Sequence, residues 1–221
     1  MGINPSVVNL ALRARALTLS VCTTGSVTLA ATAAGYTRTT GSFVTDGFLV
    51  GQEVTPAGFT QTTPAYITAV AALTLSINGG RTAQVAGAGR TLAVTLPAQR
   101  VYDNIAFTPT AGRWYAEGEY SPSTAALSTV TASRGYGEAT GEYYWRLYGI
   151  AGVGELAFHA MATALLALYA PGDGQTLSDG SRLWISHNPA PRCGTVQPDQ
   201  PGFAVLTLTI PWRCSFTNPV L

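Results

Sequence analysis

Two acids, Asp46 and Glu53, lie close together in GSFVTDGFLVGQEV, residues 41–54, among glycines and large apolar side chains. Paired carboxylates about 5–10 Å apart in a cleft can divide the acid and base roles of glycoside hydrolysis. Here Asp46 precedes Gly47, and Asp-Gly favours a type I′ hairpin turn. Glu53 follows a second glycine-containing turn at Gly51-Gln52. The pair therefore reads as the turn chemistry of a small β-module, with Phe43 and Phe48 supplying core.

Glu155 and His159 form a second pair, four residues apart on one helical face, a spacing that could serve acid–base chemistry. No Ser or Cys in a recognisable nucleophile elbow accompanies them, so an ordinary helix pair or a subunit contact is the expectation. His187 sits beside Asn188-Pro189 and reads as a loop residue. GAGRT, 87–91, lacks the lysine and the spacing of a phosphate-binding loop and reads as a turn. Cys22, Cys193 and Cys214 are an odd count without CxxC spacing. Neither a disulfide framework nor a metal site is expected, and the thiols read as free in a reducing cytoplasm. No catalytic residue, metal or cofactor is assigned, and the protein is not expected to be an enzyme.

The 221 residues are 47% hydrophobic and only 10% charged, with net charge +1. Globular domains usually carry about 25% charged residues. So few charges suit a subunit that buries its faces in an assembly better than a free monomer. All 12 basic residues are Arg, which excludes lysine Schiff-base chemistry. Their scatter makes no basic patch for nucleic acid. The N-terminal apolar run follows no basic segment and contains Arg13 and Arg15, unlike a signal peptide. The most apolar stretch, 153–172, carries Glu155 and His159 and reads as a buried helix rather than a membrane span.

These residues need elements to hold them. Asn4 is a good N-cap and Pro5 a good first helical residue, predicting a helix from Pro5 to about Leu19. Between Cys22 and Leu96 the chain becomes rich in Thr, Ala, Gly and Val. Six short strands are expected there: SVTLAA, GSFVT, QEVTPAGF, AYITAV, LTLSI and TLAVTL, in a small antiparallel barrel or sandwich. From Arg100 the strands are longer and more aromatic: RVYDNIAFTP, RWYAEGEY, LSTVTAS and GEYYWRLYGI. A helix from Gly152 to Ala170 stops at Pro171-Gly172, and RLWISH and GFAVLTLTIPWRC follow as strands. The predicted fold class is α+β: an antiparallel sheet with two packed helices, residues 1–21 and 97–221, plus an inserted small all-β module, residues 22–96.

Alternation on 141–150 puts Tyr143, Trp145 and Leu147 on one face and Tyr144, Arg146 and Tyr148 on the other. The first set is expected as sheet core. The second, amphipathic and Arg-bearing, has the composition of a subunit interface. The segment 112–128 reads as a protruding hairpin or arm. It brings Arg113, Trp114, Tyr115, Glu117 and Glu119 to the same interface.

The order of motifs in 97–221 resembles the tail terminator (tail completion) proteins of long-tailed bacteriophages. The pattern runs through Asp103-Asn104 and Phe107-Thr108-Pro109, then GEYYWRLYGIAGVGELA, then the helix stop LYAPG and the strand end TIPWR. The module 22–96 departs from the compact family pattern and looks like a small β-module of phage structural proteins. The resemblance implies a ring, typically a hexamer, that caps the head-proximal end of the tail tube. The ring stops tube polymerisation and joins the tail to the head connector. It implies as partners further copies of this chain, a tail tube protein and a head–tail connector or neck protein, with genomic DNA passing through the lumen without specific binding and no membrane. The place implied is the virion tail or neck, after assembly in the host cytoplasm. Alternatives are another neck, head–tail joining or tail tube protein and, in a different class, a carbohydrate-binding module attached to a hydrolase-like domain.

Overall fold

A computed structural model describes residues 4–23, 27–97, 100–102, 107–130, 134–152, 154–199 and 201–219. The first helix, α1, is Pro5–Ala16. The Asn4 side chain accepts from the Ser6 amide at 3.1 Å, satisfying an N–H that the first turn cannot. Eight strands follow: β1 Ser20–Cys22, β2 Leu29–Thr32, β3 Gly35–Arg38, β4 Glu53–Ala57, β5 Ala65–Val70, β6 Thr74–Ile77, β7 Gln84–Gly87 and β8 Thr91–Thr95. They join in the order β1-β8-β4-β5-β6-β3-β2-β7, all antiparallel.

The rest of the chain forms β9 Arg100–Tyr102, β10 Tyr115–Val130, β11 Arg134–Ile150, helix α2 Glu155–Ala167, β12 Gly174–Thr176, β13 Arg182–Ile185, β14 Arg192–Cys193, β15 Gln197–Pro198 and β16 Phe203–Pro219. The second sheet runs β12-β13-β16-β11-β10-β9, with β14 and β15 also pairing along β16. Its pairs are antiparallel except β9 with β10. The fold is thus α+β, a mostly antiparallel arrangement of two sheets with two helices, one sheet making a sandwich-like β-module. The strands β10, β11 and β16 have 16, 17 and 17 residues. At about 3.3 Å per residue, each spans roughly 55 Å.

Both helices pack with the long-stranded sheet. Tyr143, Trp145 and Leu147 are fully buried, as are Ala162, Leu165 and Tyr169 of the α2 region. The Tyr169 hydroxyl donates to the Leu12 carbonyl of α1 at 2.6 Å and accepts from the Trp145 indole at 3.0 Å. Arg15 donates to the Leu168 carbonyl at 3.2 Å and pairs with Asp173 at 2.7 Å, tying α1 to the end of α2. One apolar cluster runs from Val8 through both sheets to Cys214.

Several sequence expectations are corrected. GSFVT is not a strand: residues 43–47 coil as turns. Asp46 does not serve a hairpin turn between strands. Its carboxylate pairs with the Arg38 guanidinium at 2.6 Å, with both side chains almost wholly buried. The turn folds inward to bring acid to base, and Phe43 and Phe48 fill the core beside it as expected. Glu53 accepts instead from the Tyr66 hydroxyl at 3.3 Å. RWYAEGEY and LSTVTAS are not separate strands, since β10 runs unbroken from Tyr115 to Val130. Both helices are shorter than expected. β3 and β7 were not anticipated, and β1 enters the first sheet at Ser20 by pairing with β8.

Candidate functional site

β11 alternates without interruption between buried and partly exposed residues from Gly137 to Ile150. The helices cover the face of Tyr143, Trp145 and Leu147, so Glu138, Thr140, Glu142, Tyr144, Arg146 and Tyr148 point to the other, open face. Register aligns their neighbours. Tyr115 lies opposite Tyr148, Glu117 opposite Arg146, and Glu119 opposite Tyr144 on β10. Thr207, Thr209 and Arg213 of β16 face Arg146, Tyr144 and Thr140.

The polar groups on this face interlock. Arg146 reaches Glu119 at 2.6 Å and Glu117 at 3.4 Å. The Tyr148 hydroxyl donates to Glu117 at 2.9 Å, and the Tyr144 hydroxyl donates to Glu142. Glu142 also receives Arg192 at 3.2 Å. Arg213 stands 4.0 Å from Glu138. Burial, the hydrogen bond to Glu117 and that carboxylate's charge all raise the Tyr148 pKa. The hydrogen bond to Glu142, then burial, raise that of Tyr144. Burial alone would lower the Arg146 pKa, but the bond and charge of Glu119 outweigh it and the net shift is upward. All three groups are thus held in their ordinary protonation states.

The eight residues expected at the interface divide into two sets. Glu117, Glu119, Tyr144, Arg146 and Tyr148 form the ladder. Arg113, Trp114 and Tyr115 do not project as an arm. Trp114 is buried, donating its indole N–H to the Val50 carbonyl at 2.8 Å and packing on Phe158 at 4.8 Å between ring centroids. Tyr115 is buried and stacked on Tyr148 at 4.1 Å. Arg113 lies over the Tyr66 ring of β5 at 3.8 Å. Where the chain enters β10 it runs against the first sheet: Trp114 and Arg113 reach Val50 and Tyr66, whereas Tyr115 packs within the second sheet. The segment 115–130 does form one side of a long hairpin with β11.

Sequence reasoning missed Glu138 and Glu142, though the alternation that found Tyr144 points them the same way. It also missed Arg192, Arg213 and the pair Arg182–Trp184, which reach this face from β13, β14 and β16. Arg182 and Arg213 both approach the Trp184 ring, at 5.3 and 5.5 Å. A half-open cleft of 720 Å³ lies beside them, lined among others by Glu138, Glu142, Arg213 and His187. Glu138 and Glu142, four residues apart on one strand, have backbones about 13 Å apart.

Among the described residues no group of three His, Cys, Asp or Glu could hold a metal ion, and no helix is long and apolar enough to cross a membrane. No bond joins Glu155 to His159 among the described residues. Cys193 is exposed and Cys214 buried, both free. The Cys22 side chain and the residues Asp103 and Asn104 lie outside the described residues.

No protein-family model matches the chain, and no curated protein matches it significantly in sequence. One solved structure, whose name specifies no activity, is similar over 53% of this chain and 79% of its own, at 15% identity and a TM-score of 0.41. A likeness of that size carries no argument about fold or function.

Proposed function

We propose that this chain is a structural protein of a long-tailed phage virion, a tail terminator. In this reading it assembles as a ring that caps the head-proximal end of the tail tube, ends tube growth and joins the tail to the head connector. The observation that carries the reading is the open face of the second sheet. It is broad, built on strands of 16 to 17 residues, and set with charged and aromatic side chains fixed by one another rather than around a substrate. Such preordered, half-exposed polar groups lose little freedom when a partner surface docks. The ordered motifs of 97–221 point the same way, as do the scarcity of charge and the exposed leucines Leu10, Leu17 and Leu156 of the helix layer.

A ring follows from a heterologous contact whose rotation closes. Light scattering after size exclusion, with negative-stain imaging, tests the proposal: a closed oligomer of about six copies is expected. A stable monomer with affinity for glycans would overturn it in favour of a carbohydrate-binding protein.

A further inference from the structure

The cross-strand ion pairs of the open face all lean one way. Glu117 and Glu119 on β10 reach Arg146 on β11. Glu138 and Glu142 on β11 reach Arg213 on β16 and Arg192 on β14. In each pair the carboxylate lies on the β9 side of its guanidinium. Among the described side chains, the ion pairs therefore leave the two ends of the face unbalanced. At β10 two carboxylates share one guanidinium. At β13 Arg182 is exposed and, among the described residues, has no carboxylate partner. Its guanidinium carbon lies 5.3 Å from the Trp184 ring centroid, a cation–π contact that arginine favours.

We infer that this face is one interface of the chain with a second copy of itself, in which Arg182 of one copy meets the Glu117–Glu119 pair of the next. Charge complementarity selects the geometry. A two-fold contact through either end would set like charges together, whereas a head-to-tail contact joins the arginine end to the carboxylate end. Each copy then offers one end to each neighbour, the condition for a ring. This inference rests on the proposed ring and names the surfaces that close it.

The test uses two charge reversals, Arg182→Glu and Glu119→Arg, in the full chain. Arg182→Glu sets like charges at every contact and Glu119→Arg cancels the charge of the acidic end, so each alone should raise the concentration needed for assembly about tenfold or more. Mixed in equal amounts, the two variants should assemble together, because alternation restores an opposite pair at every contact. Rescue on mixing is a signature that a general loss of folding does not give. Should Glu119→Arg misfold through its closeness to Arg146, Glu119→Gln mixed with wild type keeps the measurement open, with a smaller loss expected. Reversals that assemble like wild type would overturn this interface and leave the ring standing. A wild-type chain that is monomeric at all concentrations would overturn both.

Discussion

The indole N–H of Trp114 donates to the carbonyl of Val50 at 2.8 Å, and the Trp114 amide donates to the Gly51 carbonyl at 3.1 Å. Two bonds from one residue thus join the long-stranded sheet to the β-module. The junction is close: Gly51 has φ +85°, and a Cβ there would lie 2.6 Å from Ile150 Cδ1 and 2.9 Å from the Gly112 carbonyl. Trp114→Ala should cost about 3–5 kcal/mol, the range for emptying a buried aromatic site. Gly51→Ala combines a disfavoured backbone region with a clash and should cost more than about 1 kcal/mol. Denaturant unfolding checks both, and a variant within error of wild type would show that the two sheets do not depend on this junction.

The Arg38–Asp46 pair is the only one of the described ion pairs in which both side chains are nearly inaccessible. Arg38 also donates to the Thr40 carbonyl at 2.6 Å and lies 5.0 Å from the Phe43 ring centroid. Removing one partner leaves a buried charge uncompensated, so Asp46→Ala should cost about 3–5 kcal/mol. Replacing both with apolar residues of similar volume should recover much of that loss. Unfolding midpoints of the single and double variants give the coupling. A double variant as unstable as the single would show that the surrounding turn, rather than the pair, is what fails.

This pair also shows where the sequence stopped being legible. Local signals found β5 at its observed limits, because alternation and flanking breakers agreed over Ala65–Val70. They found the two faces of β11, since a period of two persists through its whole described length. GSFVT carries a similar local pattern, yet a tertiary bond from Asp46 to Arg38 outweighs its strand preference, and nothing nearby announces that bond. Ser121-Pro122-Ser123 lies between RWYAEGEY and LSTVTAS. The chain absorbs Pro122 at an irregularity in register between Pro122 and Thr124, a place where a sheet tolerates proline. The binding face was half legible for the same reason: residues of one strand follow from alternation, while Arg182, Arg192 and Arg213 are gathered by topology.

The Tyr169 hydroxyl bridges three elements, accepting from Trp145 and donating to the Leu12 carbonyl. Tyr169→Phe keeps the ring and removes both bonds. A loss of about 1–3 kcal/mol is expected. Because the bond to Leu12 holds α1, hydrogen exchange should quicken in α1 more than in the β-module. Uniform acceleration across the chain would mean that Tyr169 supports the whole core rather than the seat of α1.

Tyr120 offers the opposite case. Its ring stacks on Trp212 at 5.4 Å, while its hydroxyl is buried and has no hydrogen-bond partner among the described residues. Burial foremost, then the nearby Cys214, push its pKa up to about 12. The sign follows directly. A folded pKa above the unfolded value of about 10 means that the folded state holds the proton more tightly. The stability linked to this group is fully present below about pH 10 and is lost as pH rises toward about 12. Tyr120→Phe removes both the unsatisfied hydroxyl and the titration. It should be neutral or stabilising by up to about 1 kcal/mol at neutral pH, and it should flatten part of the alkaline decline. Unfolding midpoints between neutrality and pH about 12 provide the check. A destabilised variant at neutral pH would mean that the hydroxyl is bonded in solution, and an unchanged alkaline slope would assign the decline to Tyr148 and Tyr169, whose pKa values burial also raises.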